Sequence, residues 1–155
     1  MNKIDFSDTF FMQQALNEAH TALKKDEIPV GVIVVCNNQI IAKAHNLTET
    51  LNDVTAHAEI LAITSATEAL GGKYLTKCTM YITLEPCIMC AGALGLAQLE
   101  RLVYGATDEK RGYSKFNPSP LHPKTEVVSG ILRDECGKII KEFFRKKRKK
   151  IVIND

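Results

Sequence analysis

Apolar residues recur at Met12, Ala15, Leu16, Ala19, Ala22 and Leu23, the three-and-four spacing of an amphipathic helix over residues 7–25, and Ser7 stands where a hydroxyl can cap its start. After Pro29 the pattern changes. The run Val30-Gly31-Val32-Ile33-Val34-Val35 carries no polar side chain, which predicts a strand buried on both faces. The polar turn Asn37-Asn38-Gln39 joins it, as a hairpin, to a second strand at Ile40-Ile41-Ala42. A polar loop covers residues 46–53, and a helix fits residues 55–70, with Thr55 as its cap and Gly71-Gly72 as its stop. A strand at 79–84, a helix beginning at Pro86 and a strand at 102–105 form a β-α-β unit, whose crossover implies a parallel pair. Residues 110–124 hold Gly112, Pro118, Pro120 and Pro123 and read as a loop long enough to line a site. A short strand near 126–128 precedes a last helix over 134–149, with Ile139, Ile140, Phe143 and Phe144 facing inward. Helices alternate with strands throughout, so the chain reads as α/β, without repeat or linker.

Length and composition narrow this further. A chain of 155 residues, 45% hydrophobic and 25% charged, is one compact domain over 1–155 that can bury about two-thirds of its unfolded surface. Disorder, collagen and coiled coil are excluded. No apolar run approaches the roughly 20 residues that span a bilayer, and residues 1–10 lack a basic segment followed by an apolar one. The expectation is a cytoplasmic protein without membrane association. Net charge is +2, yet residues 145–150 (RKKRKK) carry six positive charges, so the rest of the chain is net acidic. Such a block is either a phosphate-contacting patch or a solvated helix end.

Five cysteines are an odd number in a chain large enough to be held by its core, so a disulfide framework is not expected. Cys36, Cys78 and Cys136 read as small core or boundary residues. Cys87 and Cys90, two residues apart, read as metal or redox chemistry. Pro86 suits a first helical position and would set the two cysteines on one helical face, where the dipole and free N–H groups of a helix start favour thiolate. His57, at the start of the preceding helix, would complete a three-ligand set. Zinc held by three protein ligands keeps its fourth position for water and lowers that water's pKa towards about 7. Glu59, two residues beyond His57, is then the expected proton shuttle, and the parts together point to hydrolytic deamination. Cys-x-x-Cys alone more often marks a structural zinc half-site or a redox pair, and His-x-Glu alone means little. The remaining candidates for a fourth ligand, Cys36, Cys78, Cys136, His20, His45 and His122, show no paired spacing suited to a structural zinc.

His57-Ala58-Glu59 followed by Pro86-Cys87-Ile88-Met89-Cys90 resembles the signature of the zinc-dependent cytidine and deoxycytidylate deaminase superfamily. More narrowly TAHAE, TLEPCIMCAGAL, VYGATDEKRG, GILRDEC and FFRKKR resemble the bacterial tRNA adenosine deaminases that make wobble inosine, and the similarity covers residues 28–148. It implies a three-layer α/β/α cytidine-deaminase-like fold with a central mixed five-stranded sheet, a homodimer and one zinc ion per subunit. His57, Cys87 and Cys90 would hold the metal, with Glu59 as acid and base. Asn46 and Ala58 would contact the flipped nucleoside, and Arg145, Lys146, Lys147 and Arg148 would meet the backbone of a tRNA anticodon stem-loop. Glu85 either orients the site or caps the helix. Three segments depart from the family: Val54 stands where proline is usual, Leu96-Ala97 replaces a polar pair, and the loop over residues 113–124 is shorter. They flank the pocket, so a free base such as guanine or cytosine remains an alternative substrate. A zinc-stabilised RNA-binding module without catalysis is the third reading, against which Glu59 argues.

Overall fold

The computed structural model describes the backbone of residues 7–154 and the side chains through residue 151. Residues 1–6, read above for a leader, lie outside the described residues, as does residue 155. Five strands form one mixed sheet in the order β2-β1-β3-β4-β5. These are β1 (Gly31–Cys36), β2 (Gln39–His45), β3 (Cys78–Leu84), β4 (Arg101–Ala106) and β5 (Glu126–Ser129). β1 runs antiparallel to both β2 and β3, whereas β3, β4 and β5 are parallel.

Helices cover both faces, α1 (Asp8–Lys24) and α4 (Arg133–Asn154) on one side, α2 (Ala58–Leu70) and α3 (Ile88–Ala97) on the other. The period of two in β1 explains why its whole run is apolar. Val32 and Val34 pack with Ala62 and Leu94 on the α2/α3 face, while Ile33 and Val35 pack with Met12, Leu16 and Ile139 on the α1/α4 face. A side chain at Gly31 would run into the Ala15 carbonyl and the Ala19 amide, so α1 lies directly against the start of β1. Asn37 and Asn38, both at positive φ, make the tight hairpin turn, and β2 starts at Gln39 and runs on to His45.

Helix starts depart from the expectation. Ser7 does cap α1, its hydroxyl accepting from the Phe10 amide at 3.2 Å. Thr55 does not cap α2. Asp53 Oδ1 accepts both the Thr55 amide (2.8 Å) and its hydroxyl (2.7 Å), so the loop continues to His57, which is the N-cap. Pro86 likewise precedes α3, whose N-cap is Cys87. Gly71, at φ 68°, ends α2 as expected. Phe144 is exposed rather than inward, meeting Phe143 edge-on at 5.3 Å, because the inward stripe of α4 runs through Cys136, Ile139 and Phe143.

At the far end of the sheet Arg101 grips Asp8 with two hydrogen bonds of 2.7 Å, and the Tyr81 hydroxyl donates a third. Arg101 therefore holds the Asp8 carboxyl below its ordinary 3.8. A depressed folded value stabilises the fold above the unfolded one and is lost as pH falls through the folded one. Asp8→Asn is expected to cost about 1 kcal/mol at neutral pH, where both groups are half-buried. The difference from wild type should shrink below pH 3.8 and vanish at stronger acid, read by urea unfolding at each pH.

Candidate active site

Two helix starts and one loop meet on the α2/α3 side. His57 and Cys87 are N-caps with extended backbones, so each side chain hangs at the mouth of its helix, and Cys90 sits three residues into α3. His57 Nδ1 lies 3.6 Å from Cys87 Sγ and 3.5 Å from Cys90 Sγ. Cys87 caps the helix rather than lying within it, and the two sulfurs, three residues apart at its start, point to the same side. The three ligand atoms lie within 4.8 Å of one another.

This donor set fits a metal ion. Tetrahedral zinc, with bonds of about 2.3 Å to sulfur and about 2.1 Å to nitrogen, sets sulfur-to-nitrogen separations of about 3.6 Å, the spacing found. The charges agree. The Cys90 thiol, helped by the open amides of Cys90 and Met89 at the helix start and by His57, pulls Cys87 down to about 5 against its burial. Cys90, facing Cys87 and buried, is pushed up, so Cys87 is the thiolate of the pair.

Glu59 is the second residue of α2 and is buried, at 4% exposure. Burial pushes its carboxyl up to about 7, against the opposing pull of its own amide and of the Cys90 thiol. Near that value a carboxyl both accepts and gives up a proton at neutral pH. Ala58, the first residue of α2, is buried, and its N–H is one of the donors that a helix start leaves without an intrahelical acceptor.

The loop between β2 and α2 brings Asn46 to this side. The Leu47 amide donates to the Ala56 carbonyl at 3.1 Å, a clasp that places Asn46 just before it and His57 just after it. Asn46 is buried, and its Nδ2 donates to Thr48 Oγ1 at 3.4 Å.

Glu85, left open between two roles, does not cap α3. Its Oε1 accepts the Asp108 amide (3.1 Å), and its Oε2 accepts the Ser114 amide (3.0 Å) and hydroxyl (2.7 Å). It therefore binds the loop after β4 to the ligand turn, where the Tyr113 amide also donates to the Pro86 carbonyl. That loop holds a short 3-10 turn, Tyr113–Lys115, and packs onto α3, where a side chain at Gly95 would collide with the Pro120 carbonyl.

Of the basic residues, Arg145, Lys146 and Arg148 are exposed on α4, which packs on the opposite face of the sheet from α2 and α3. Lys147 is engaged, pairing with Asp26 at 2.9 Å and lying over the Phe143 ring. Cys78 and Cys136 are core residues, both raised to about 12 by burial. Glu27, fully buried and absent from the sequence reading, is the charged residue that reading missed. Among the described residues no helix is long and apolar enough to cross a membrane.

A three-layer sandwich in which two helix starts present His-x-Glu against Cys-x-x-Cys defines an enzyme of the cytidine-deaminase-like class. Residues 6–148 match the MafB19-like deaminase family. A tRNA-specific adenosine deaminase from Bacillus subtilis (strain 168) is 46% identical over 148 residues, covering 92% of each chain. A solved structure from work on A-to-I editing by tRNA:A34 deaminases at the wobble position is 44% identical, with a TM-score of 0.79 over 84% of this chain and 99% of that one. A guanine deaminase from Bacillus subtilis is more distant, 36% identical with a TM-score of 0.61 over 69% of this chain and 66% of that one. The chain belongs to the family of bacterial tRNA-specific adenosine deaminases.

Proposed function

We propose that this chain is a zinc-dependent hydrolytic deaminase, one domain long, that converts adenosine to inosine at the wobble position of tRNA in the cytoplasm. The observation that carries the chemistry is the approach of His57 Nδ1 to both cysteine sulfurs at 3.5 and 3.6 Å, with the buried Glu59 beside them. His57, Cys87 and Cys90 would hold one zinc ion per subunit, which when bound supplies a polarised water as nucleophile. Glu59 carries the protons. It moves one from the attacking water to the ring nitrogen next to the reacting carbon and a second to the exocyclic amine, which leaves as ammonia. Asn46, whose amide both donates and accepts, and the Ala58 N–H orient the extruded base.

The macromolecular substrate is supported by the identity to tRNA-specific relatives and by the exposed cations of α4. Val54, 85% exposed three residues before His57, and Leu96, 81% exposed on α3, are apolar surface suited to a second copy of the chain, which supports a homodimer. Ala97, by contrast, is buried.

Replacing Arg145, Lys146 and Arg148 together by alanine tests the RNA reading. With an anticodon stem-loop as substrate, KM should rise about tenfold at low salt and the slope of log KM against log salt should flatten by about 2, with kcat kept. An unchanged KM and salt slope would return those residues to a solvated helix end.

A further inference from the structure

We propose that Glu27 is a positioning residue of the active site, the internal brace that holds the loop between β2 and α2 in the shape that aims Asn46 at the substrate. The proposal rests on Asn46 being a substrate contact, as argued above. Glu27 follows the end of α1 in a tight turn: Asp26 is at φ 58°, and the Glu27 amide donates back to the Ala22 carbonyl at 3.0 Å. That turn leaves Asp26 and Ile28 exposed on either side and sends Glu27 inward, to 0% exposure. Among the described residues Glu27 has no ion-pair partner. Its two oxygens are used singly, Oε1 accepting the Glu49 amide at 2.8 Å and Oε2 the Thr50 amide at 3.1 Å.

Burying a carboxylate without a counter-ion is costly, and the hydrogen bonds that offset the cost here are those from the Glu49 and Thr50 amides. What it supplies is two acceptors side by side, matched to two consecutive amides of one loop. The outer surface of that loop, residues 49–55, is exposed, so Glu27 is its support from within. The Asn46 amide donates to the Val30 carbonyl at 3.2 Å, which fixes the start of the loop, and beyond that residue the remaining backbone bonds close the loop on itself. Leu51 donates to the Leu47 carbonyl (2.9 Å), Asp53 to that of Thr48 (3.1 Å) and Leu47 to that of Ala56 (3.1 Å). Displacement of Glu49 and Thr50 therefore moves Thr48, whose hydroxyl holds the Asn46 amide. The path runs from Glu27 through the Glu49 amide and Thr48 to Asn46, and Glu27 itself touches no substrate.

The test is a double-mutant cycle on kcat/KM for an anticodon stem-loop, using zinc-loaded wild type, Glu27→Gln, Asn46→Ala and the double variant. Glutamine keeps the shape but turns one acceptor into a donor that faces an amide. We expect Glu27→Gln to bind zinc in full and lower kcat/KM about tenfold, and to lower it less than twofold when Asn46 is already alanine. An equal drop in both backgrounds, or no drop in either, overturns the proposal. If Asn46→Ala alone keeps wild-type activity, the substrate contact itself is refuted and Glu27 loses its route with it. Should Glu27→Gln fail to fold, Glu27→Asp, which keeps both acceptors on a shorter arm, takes its place in the cycle. Amide exchange in the unaltered protein gives a second reading: Glu49 and Thr50 should be protected although their side chains are exposed, and rapid exchange at both contradicts the brace.

Discussion

Glu59→Gln is expected to lower kcat on an anticodon stem-loop by a factor of about 10²–10⁴, the usual contribution of a positioned acid-base group, while the protein still folds and takes up its metal. The separation of effects follows from where Glu59 stands. It is fixed on the first turn of α2, buried, beside rather than among the three ligand atoms. Glutamine fills the same volume and keeps a hydrogen-bonding carbonyl, but it cannot shuttle a proton between water, ring nitrogen and leaving amine. Burial already penalises the charged form of this carboxyl, so a neutral amide should cost the fold little. Zinc content by metal analysis, the melting temperature and single-turnover kcat distinguish the outcomes. Full activity with glutamine would remove Glu59 from the reaction.

Loss of a ligand should look different, because metal affinity and stability then fall together. Cys90→Ala is expected to abolish stoichiometric zinc binding and reduce activity to background. A ligand held about 1,000-fold above its Kd stabilises the folded state by about 4 kcal/mol, which for a chain of this size is a fall in Tm of about 10 °C. A strong chelator should reproduce that fall in the wild type and leave Cys90→Ala unmoved. Cys36→Ser is the control: Cys36 is half-buried and paired in register with Cys78 across β1 and β3, so its loss should leave zinc content unchanged. Retention of one zinc per chain in Cys90→Ala would contradict the ligand set.

What could be read from the chain, and what could not, divides along the range of the forces involved. The stripe on α1 and the unbroken apolar run of β1 record burial on one side and on two sides, so both elements are legible from side-chain polarity alone. The convergence of His57, Cys87 and Cys90 is legible because His-x-Glu and Cys-x-x-Cys are the residue types and short spacings that a metal site would need. Helix starts were misplaced by up to three residues because they are settled by local competition: Asp53 takes the Thr55 hydroxyl that would otherwise have capped α2. Lys147 reads as one of six equal cations until the fold brings Asp26, 121 positions away, against it. Glu27 reads as another surface charge after Lys24, Lys25 and Asp26, and only the fold reveals that it faces inward to amides 22 and 23 positions on.

One assay addresses chemistry and substrate together: product analysis after incubating zinc-loaded protein with a tRNA anticodon stem-loop that carries adenosine at the wobble position, with free guanine, cytosine and adenosine in parallel. Inosine at the wobble position of the stem-loop, at a rate that falls steeply with added salt, with the free compounds unchanged, is the expected result. Xanthine from guanine, or uracil from cytosine, with no inosine in the RNA would contradict it and place the chain's activity with the free-base deaminases that share its fold.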